Sequence, residues 1–238
     1  VVNGLDVESV YEVPLMFHQQ NLDNIIMTYL QMWTGSPKLQ PWIDLIEKYK
    51  NPQDEVDIAF IGKYVAHLDS YESLKEALLH GGIANRIKVK LHYIDSEFLT
   101  TKNAFEKLEK MDGVLVAPGF GERGMEGKIT AINIARTDNI PFFGICLGMQ
   151  MAIVEFARNV VGISGANSGE SRPNHAENVI DLMPEQQGHL ETGGTMRLGS
   201  QITVLKKGSR IAKIYNKTSI SERHRHRYEV MNEFVPKL

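Results

Sequence analysis

Pro141-Phe142-Phe143-Gly144-Ile145-Cys146-Leu147-Gly148-Met149-Gln150 decides the reading of this chain. An apolar run of strand character passes through Gly-x-Cys-x-Gly into an amphipathic stretch over about residues 151–161. That order predicts strand, sharp turn, helix, with a cysteine at the position of an elbow nucleophile. The turn forces the cysteine into an uncomfortable backbone conformation, and glycines two residues to either side leave room for it. The new helix then aims unpaired N–H groups and its positive dipole end at the sulfur, which favours thiolate. Cys146 is the single cysteine of the chain. The alternative for such a residue is to pack as a small buried hydrophobe.

Working outward, Asp112-Gly113-Val114-Leu115-Val116-Ala117 predicts a second buried strand, ending in Pro118-Gly119-Phe120-Gly121-Glu122-Arg123-Gly124. A glycine-rich loop at a strand's carboxyl end is where open α/β sheets bind ligands. Beside an elbow, its N–H groups can donate to a developing oxyanion. Residues 56–61 predict a first strand that ends at Gly62-Lys63. Residues 70–80 follow as a helix closed by Gly81-Gly82. Ile87, Val89, Leu91 and Tyr93 alternate with polar residues, as in a half-exposed strand near a sheet edge. Helices are expected over 101–110 and 127–137. Strands alternating with helices imply an α/β fold with a mostly parallel central sheet covered on both faces. After the elbow helix the pattern changes: 162–179 is polar, and 194–205 and 212–215 look like strands of a small antiparallel subdomain. Arg223, Arg225 and Arg227 alternate with His224, His226 and Tyr228, placing three guanidiniums on one face of an extended segment.

The N-terminal part has a different organisation. Residues 6–14 are extended in character, and 24–33 carry apolar residues at helical spacing. Pro41 suits a first helical position before Trp42, Ile43, Leu45, Ile46 and Tyr49. Trp33 and Trp42 are candidates for packing against a partner.

Bulk numbers exclude several classes. The 238 residues hold one sizeable α/β domain plus extra elements, with 42% hydrophobic and 23% charged residues. A net charge of −3 gives no global pull toward nucleic acid or anionic membrane. The basic residues near the carboxyl end lack interleaved aromatic stacking platforms, so no nucleic-acid partner is expected. No apolar run approaches the ~20 residues of a membrane span. One cysteine excludes an internal disulfide and a multi-cysteine zinc site, so no metal is expected and a cytoplasmic, reduced environment fits. The opening Val1-Val2-Asn3-Gly4-Leu5-Asp6 has neither an initiating methionine nor a signal peptide's pattern, and it reads like the interior of a longer protein.

Together the two loops resemble the class I, triad-type glutamine amidotransferases. Longer strings narrow the likeness to the CTP synthase family. They are Glu122-Arg123-Gly124-Met125-Glu126-Gly127-Lys128, Gly144-Ile145-Cys146-Leu147-Gly148-Met149-Gln150, Glu155-Phe156-Ala157-Arg158-Asn159-Val160 and Ala166-Asn167-Ser168. Asp181-Leu182-Met183-Pro184-Glu185-Gln186, Gly193-Gly194-Thr195-Met196-Arg197-Leu198-Gly199 and Glu222-Arg223-His224-Arg225-His226-Arg227-Tyr228-Glu229-Val230 complete the set. The resemblance implies a flavodoxin-like fold, with 1–53 the end of an amidoligase domain plus linker and 54–238 the glutamine amidotransferase domain. It implies Cys146 as nucleophile and the N–H groups of Gly119 and Leu147 as oxyanion hole. Gly148, Met149, Gln150, Glu170 and Arg227 fall at positions that bind L-glutamine, and Leu5, Asp6 and Val7 match positions beside the ATP adenine. ATP and Mg²⁺ act in the family's amidoligase domain, GTP is its allosteric activator, and the intact enzymes form homotetramers. Ammonia from glutamine there converts ATP-activated UTP to CTP.

Departures from the family pattern carry expectations of their own. The family's triad histidine and glutamate lie in a His-Pro-Glu string beyond the Arg-Tyr-Glu-Val block. The sequence stops at Leu238, before that string, which predicts little turnover for this polypeptide alone. His224 and His226 match a different motif and are not candidates for the base. Pro118 stands where many members have glycine, which removes one N–H but spares that of Gly119. Gly169 and Ser171 flank Glu170 in place of bulkier residues, predicting a looser loop. Two other functions remain open: a cysteine hydrolase of the dienelactone-hydrolase type, and a non-catalytic docking module.

Overall fold

The computed structural model describes residues 1–65, 67–182 and 196–238. Its central sheet has the order β2-β1-β3-β4, built from β1 (Asp54–Gly62), β2 (Ile87–Asp95), β3 (Gly113–Val116) and β4 (Phe142–Gly144). β1 pairs with β3 and β3 with β4 in parallel, so that Ile61 lies opposite Val116 and Val116 opposite Gly144. All four residues of β3 are buried, as expected for a central strand with both faces covered. β2 is at an edge, with Lys88 and His92 exposed. β4 is at the other edge of the described sheet, and its Phe143 is 61% exposed despite the apolar run. The strand order changes direction between β1 and β3, where the crevice beyond the carboxyl ends binds ligands in open α/β sheets. Lys63 and Ala117-Pro118-Gly119 are the residues that leave the sheet there.

Two helices position the site. α6 (Met125–Thr137) and α7 (Leu147–Phe156) pack on each other and on β3 and β4. α7 buries Leu147, Met151 and Val154, the i, i+4, i+7 stripe of a core-facing helix. These side chains join Ile61, Val114, Val116, Ile129, Ile132, Val179 and Ile180 in one core cluster. α7 runs into a single π turn, Ala157–Val161, which ends at Gly162 with φ 85°. Beyond it, β5 (Asn167–Ser168), β6 (Asn178–Leu182) and β9 (Tyr228–Val230) form a small three-stranded sheet, in which β6 and β9 are antiparallel. β7 (Arg197–Val204) and β8 (Ser219–His226) form a separate antiparallel ribbon. The expected class, a mostly parallel α/β sheet with a small antiparallel part, is the one adopted.

By their contacts the residues divide into two units, Val1–Asp57 with Leu68–Lys90, and Ile58–His67 with Leu91–Leu238. The first unit contains α1 (Val13–Gln19), α2 (Leu22–Tyr29), α3 (Gln40–Lys50) and α4 (Glu72–Asn85). Inside it the Tyr11 hydroxyl meets Glu76 Oε2 at 2.5 Å, and Arg86 pairs with Glu47 at 2.9 Å.

Several elements differ from their sequence expectations. Residues 6–14 are not simply extended: Val10–Glu12 form a 3-10 turn capped by Ser9, and α1 begins at Val13. Pro14 lies in that helix's first turn, where the missing N–H costs nothing. Gly81-Gly82 do not close α4, which runs to Asn85 and ends at Arg86 with φ 55°. Gly82 instead serves close packing, since a Cβ there would be 2.5 Å from the Ile87 carbonyl oxygen. The helix expected over 101–110 is short, α5 at Ala104–Leu108. Residues 212–215 are helical, not strand: α8 spans Arg210–Tyr215, and its Ser209 N-cap accepts from the Ala212 N–H at 3.2 Å. The motif stretches 183–186 and 193–195 lie outside the described residues.

Candidate active site

The elbow is formed as expected. Cys146 is the N-cap of α7 with φ 52° and ψ −109°, a sparsely populated combination for a residue with a side chain. The flanking glycines are sterically required. A Cβ on Gly144 would be 2.6 Å from the Gly148 carbonyl carbon, and one on Gly148 would fall against the Val116 carbonyl oxygen. The strained bend therefore follows from the close crossing of α7's first turn over the end of β3.

The thiol is half-buried, and its Sγ is 3.8 Å from the Arg225 carbonyl oxygen. Burial pushes the Cys146 thiol up, the Leu147 N–H at the helix start pulls it down, Glu170 raises it and Lys128 lowers it. The net direction is upward, contrary to the thiolate-favouring effect expected from the helix terminus alone. The helix does donate to the sulfur, but desolvation outweighs it. Cys146 opens onto a cavity of about 500 Å³ that Met149, Gln150, His224, Arg225, His226 and Tyr228 also line.

Gly119 lies beside α7's first turn, since a Cβ added to it would be 3.7 Å from Leu147 Cδ2. Leu147 and Gly148 are buried, whereas Met149 is exposed at the cavity. Gln150 is buried and its Nε2 donates to the Tyr228 carbonyl oxygen at 2.9 Å, which ties the helix to β9. Glu170 reaches the glycine-rich loop: its Oε1 accepts from the Gly121 N–H at 2.7 Å. Its own loop is not loose. Gly169 N–H donates to Ile180 O at 2.8 Å and Ser171 Oγ to Asn167 Oδ1 at 2.9 Å. A side chain in place of Gly169 would run into the Asp181 carboxylate. Of the arginine row, Arg223 and Arg225 are exposed in β8, with Arg225 6.0 Å above the Phe120 ring, while Arg227 is half-buried at the β8–β9 junction. His224 Nδ1 and His226 Nε2 are 3.0 Å apart. Burial pushes His226 down, so its ring is neutral near pH 7.

Leu5 and Asp6 are exposed and Val7 is half-buried, all in the first unit. Among the described residues no group of three or more His, Cys, Asp and Glu is placed to hold a metal ion.

Two lysines at the loop were not singled out from the sequence. Lys63, 3% exposed, donates to the carbonyl oxygens of Phe120 and, at 3.0 Å, Gly121. Lys128, fully buried in α6, donates to the Ala117 carbonyl oxygen at 2.7 Å. Lys63 directly follows a strand at the switch point, and Lys128 lies one turn into a helix whose other residues are apolar on that face.

A profile of the glutamine amidotransferase class-I family matches residues 66–238. CTP synthase of Geobacter metallireducens is 52% identical over 235 residues, covering 98% of this chain and 44% of that protein. CTP synthase of Syntrophus aciditrophicus is 48% identical over 238 residues, 100% of this chain and 44% of that protein. The chain thus spans less than half the length of these relatives. The solved glutaminase domain of Trypanosoma brucei CTPS, with bound acivicin, superposes with a TM-score of 0.71 at 40% identity, over 76% of this chain and 70% of that one. With the elbow, the glycine-rich loop and the parallel sheet in the arrangement described, the chain belongs to the class-I glutamine amidotransferase family.

Proposed function

We propose that this chain is the glutaminase part of a CTP synthase, hydrolysing L-glutamine at Cys146 and supplying ammonia for ATP-dependent amination of UTP to CTP. The observation that carries the reading is the strained Cys146 at the start of α7, facing a cavity, with Gly119 of the glycine-rich loop beside the next residue, Leu147. The Cys146 sulfur attacks the side-chain amide carbon of glutamine, and a C–S bond forms as the carbonyl electrons move to oxygen. The N–H groups of Gly119 and Leu147 stabilise that oxyanion, each worth on the order of 3 kcal/mol. The C–N bond breaks, and ammonia departs with the proton the thiol gave up. Water then cleaves the thioester to glutamate and the free thiol. Glu170 and Gln150 hold the substrate's α-amino end, Arg227 its carboxylate side, and Gly148 and Met149 shape the wall beside the sulfur.

ATP and Mg²⁺ belong to the amidoligase domain of the same polypeptide and GTP to activation of the intact homotetramer. Leu5, Asp6 and Val7 match family positions beside the adenine, and the end of the amidoligase domain would contribute them there. The exposed apolar residues Ile25, Ile26 and Tyr29 of α2, with Leu30 at its C-cap, support a partner domain at the N-terminal unit. No helix among the described residues is long and apolar enough to cross a membrane. A cytoplasmic setting, where thiols stay reduced, goes with this reading.

The test is covalent. Acivicin or a chloroketone built on the glutamine skeleton adds one label to the protein, glutamine slows the reaction, and Cys146→Ala abolishes it. Labelling that glutamine does not slow, with Cys146 otherwise reactive, overturns the proposal in favour of a non-catalytic module.

A further inference from the structure

The glycine-rich loop beside the first turn of α7 is held by charged side chains from inside the protein. The peptide between Phe120 and Gly121 is gripped at both ends: Lys63 takes its carbonyl oxygen and Glu170 its N–H. Because a trans peptide is planar, these two bonds fix its orientation. Three residues upstream, Lys128 takes the Ala117 carbonyl oxygen from within the core. Gly119, between the two grips, has no side chain. A Cβ there would be 2.9 Å from Lys63 Cε and 3.7 Å from Lys128 Nζ, so both lysines pack directly under it. A fully buried lysine with one neutral acceptor is costly, and an apolar residue of similar length would be the stabilising choice.

We propose that Lys128 is a positioning residue of the acyl-transfer site: its buried side chain holds Ala117-Pro118-Gly119 against the start of α7, and its positive charge supports the Cys146 thiolate. The role in catalysis rests on the glutaminase reading above, whereas the effect on the thiol does not. The charged groups that act on Lys128 are Lys63, which leaves β1, Cys146 on α7, and Glu170 after β5. Burial and Lys63 push Lys128 down to about 7, while Cys146 and Glu170 oppose them. The influence is mutual, since Lys128 lowers the thiol against its burial. Ionising the sulfur therefore favours the charged form of Lys128, and the charged lysine favours the thiolate.

Alkylation of Cys146 is measured against pH for wild type and Lys128→Met, alongside thermal unfolding midpoints. Iodoacetamide reads the thiolate alone, and the glutamine chloroketone adds a carbonyl held by the loop. In either case the sulfur displaces the halide as a C–S bond forms. For a folded Lys128→Met, chloroketone inactivation slows about tenfold near pH 7.5, the half-saturating concentration changes by less than about twofold, and the iodoacetamide profile moves to higher pH. Unchanged rates and profile in the folded variant overturn the inference. In wild type, the iodoacetamide rate rises over a wider pH span than one thiol allows. A one-site curve there overturns the inference even if the variant does not fold. If glutamine fails to protect wild type from the chloroketone, the glutaminase reading falls while the iodoacetamide measurements still decide the role of Lys128.

Discussion

Gly148 shows how little freedom the elbow has. Its neighbour across the bend is the backbone of β3, which cannot rotate away as a side chain could. Gly148→Ala gains helix propensity, roughly 1 kcal/mol, but forces the first turn of α7 off the Val116 carbonyl. We expect a net loss of about 2 kcal/mol in urea unfolding, with Cys146 labelling slowed as well; a more stable variant would show that the crossing can relax. Glu170 illustrates the opposite situation, a charge that disfavours the thiolate. Its carboxylate raises the Cys146 thiol, and the proposed substrate ammonium would neutralise it. Glu170→Gln should therefore react faster with iodoacetamide near pH 7, by about threefold, while glutamine protects it less well. An unchanged iodoacetamide rate would mean that this charge is not felt at the sulfur.

α6 and α7 must hold their relative position if Lys128 and Cys146 are to stay coupled, and Glu155 links them. Its side chain is 1% exposed and bonds Arg136 at 2.9 Å and Asn133 at 2.8 Å on α6, and Asn159 at 3.0 Å beyond α7. Burial pushes the Glu155 carboxyl up, but these hydrogen bonds more than reverse it and leave it below the usual carboxylate range. A carboxyl lowered on folding adds stability above its unfolded value and loses it as pH falls through the folded one. Glu155→Gln should cost about 2–3 kcal/mol at pH 7, at or just below the ~3–5 kcal/mol of a fully buried pair because Arg136 is partly exposed. Its acid-side loss of stability should also be shallower than that of wild type. Equal slopes in urea unfolding at about pH 3–5 would rule out Glu155 as a source of that loss.

The fold as a unit carries the cost of the buried lysine. Lys128 is lowered from 10.5 to about 7 on folding. Between those values the unfolded chain binds the proton and the folded one releases it, so stability rises with pH across that window. Below about pH 7 both states are protonated, and the full cost of the buried charge is present. Lys128→Met should flatten the rise of the unfolding midpoint between about pH 7 and 9. The same slope in variant and wild type would assign the pH dependence to other groups. A core that retains such a cost beside a reactive sulfur fits the trade of stability against function seen at active sites.

Sequence alone determined the elbow and the alternation of strands and helices, because each rests on local spacing, and its longer strings carried the resemblance to the family. Gly144, Cys146 and Gly148 can be read two residues apart, and the buried run of β3 needs no partner to be recognised. The same local logic misread Gly81-Gly82, whose role is close approach to Ile87, and residues 212–215, where a Ser209 cap outweighs β-branched character. Tertiary structure decided what charge surrounds the sulfur. Lys63, Lys128 and Glu170 are separated by 107 residues from first to last; the pairing of β1 with β3 brings the first two to one loop, and the segment after β5, in the second sheet, brings Glu170. Desolvation, which turns the thiol upward against the helix terminus, is likewise a property of the packed surroundings and of no residue's neighbours in the chain.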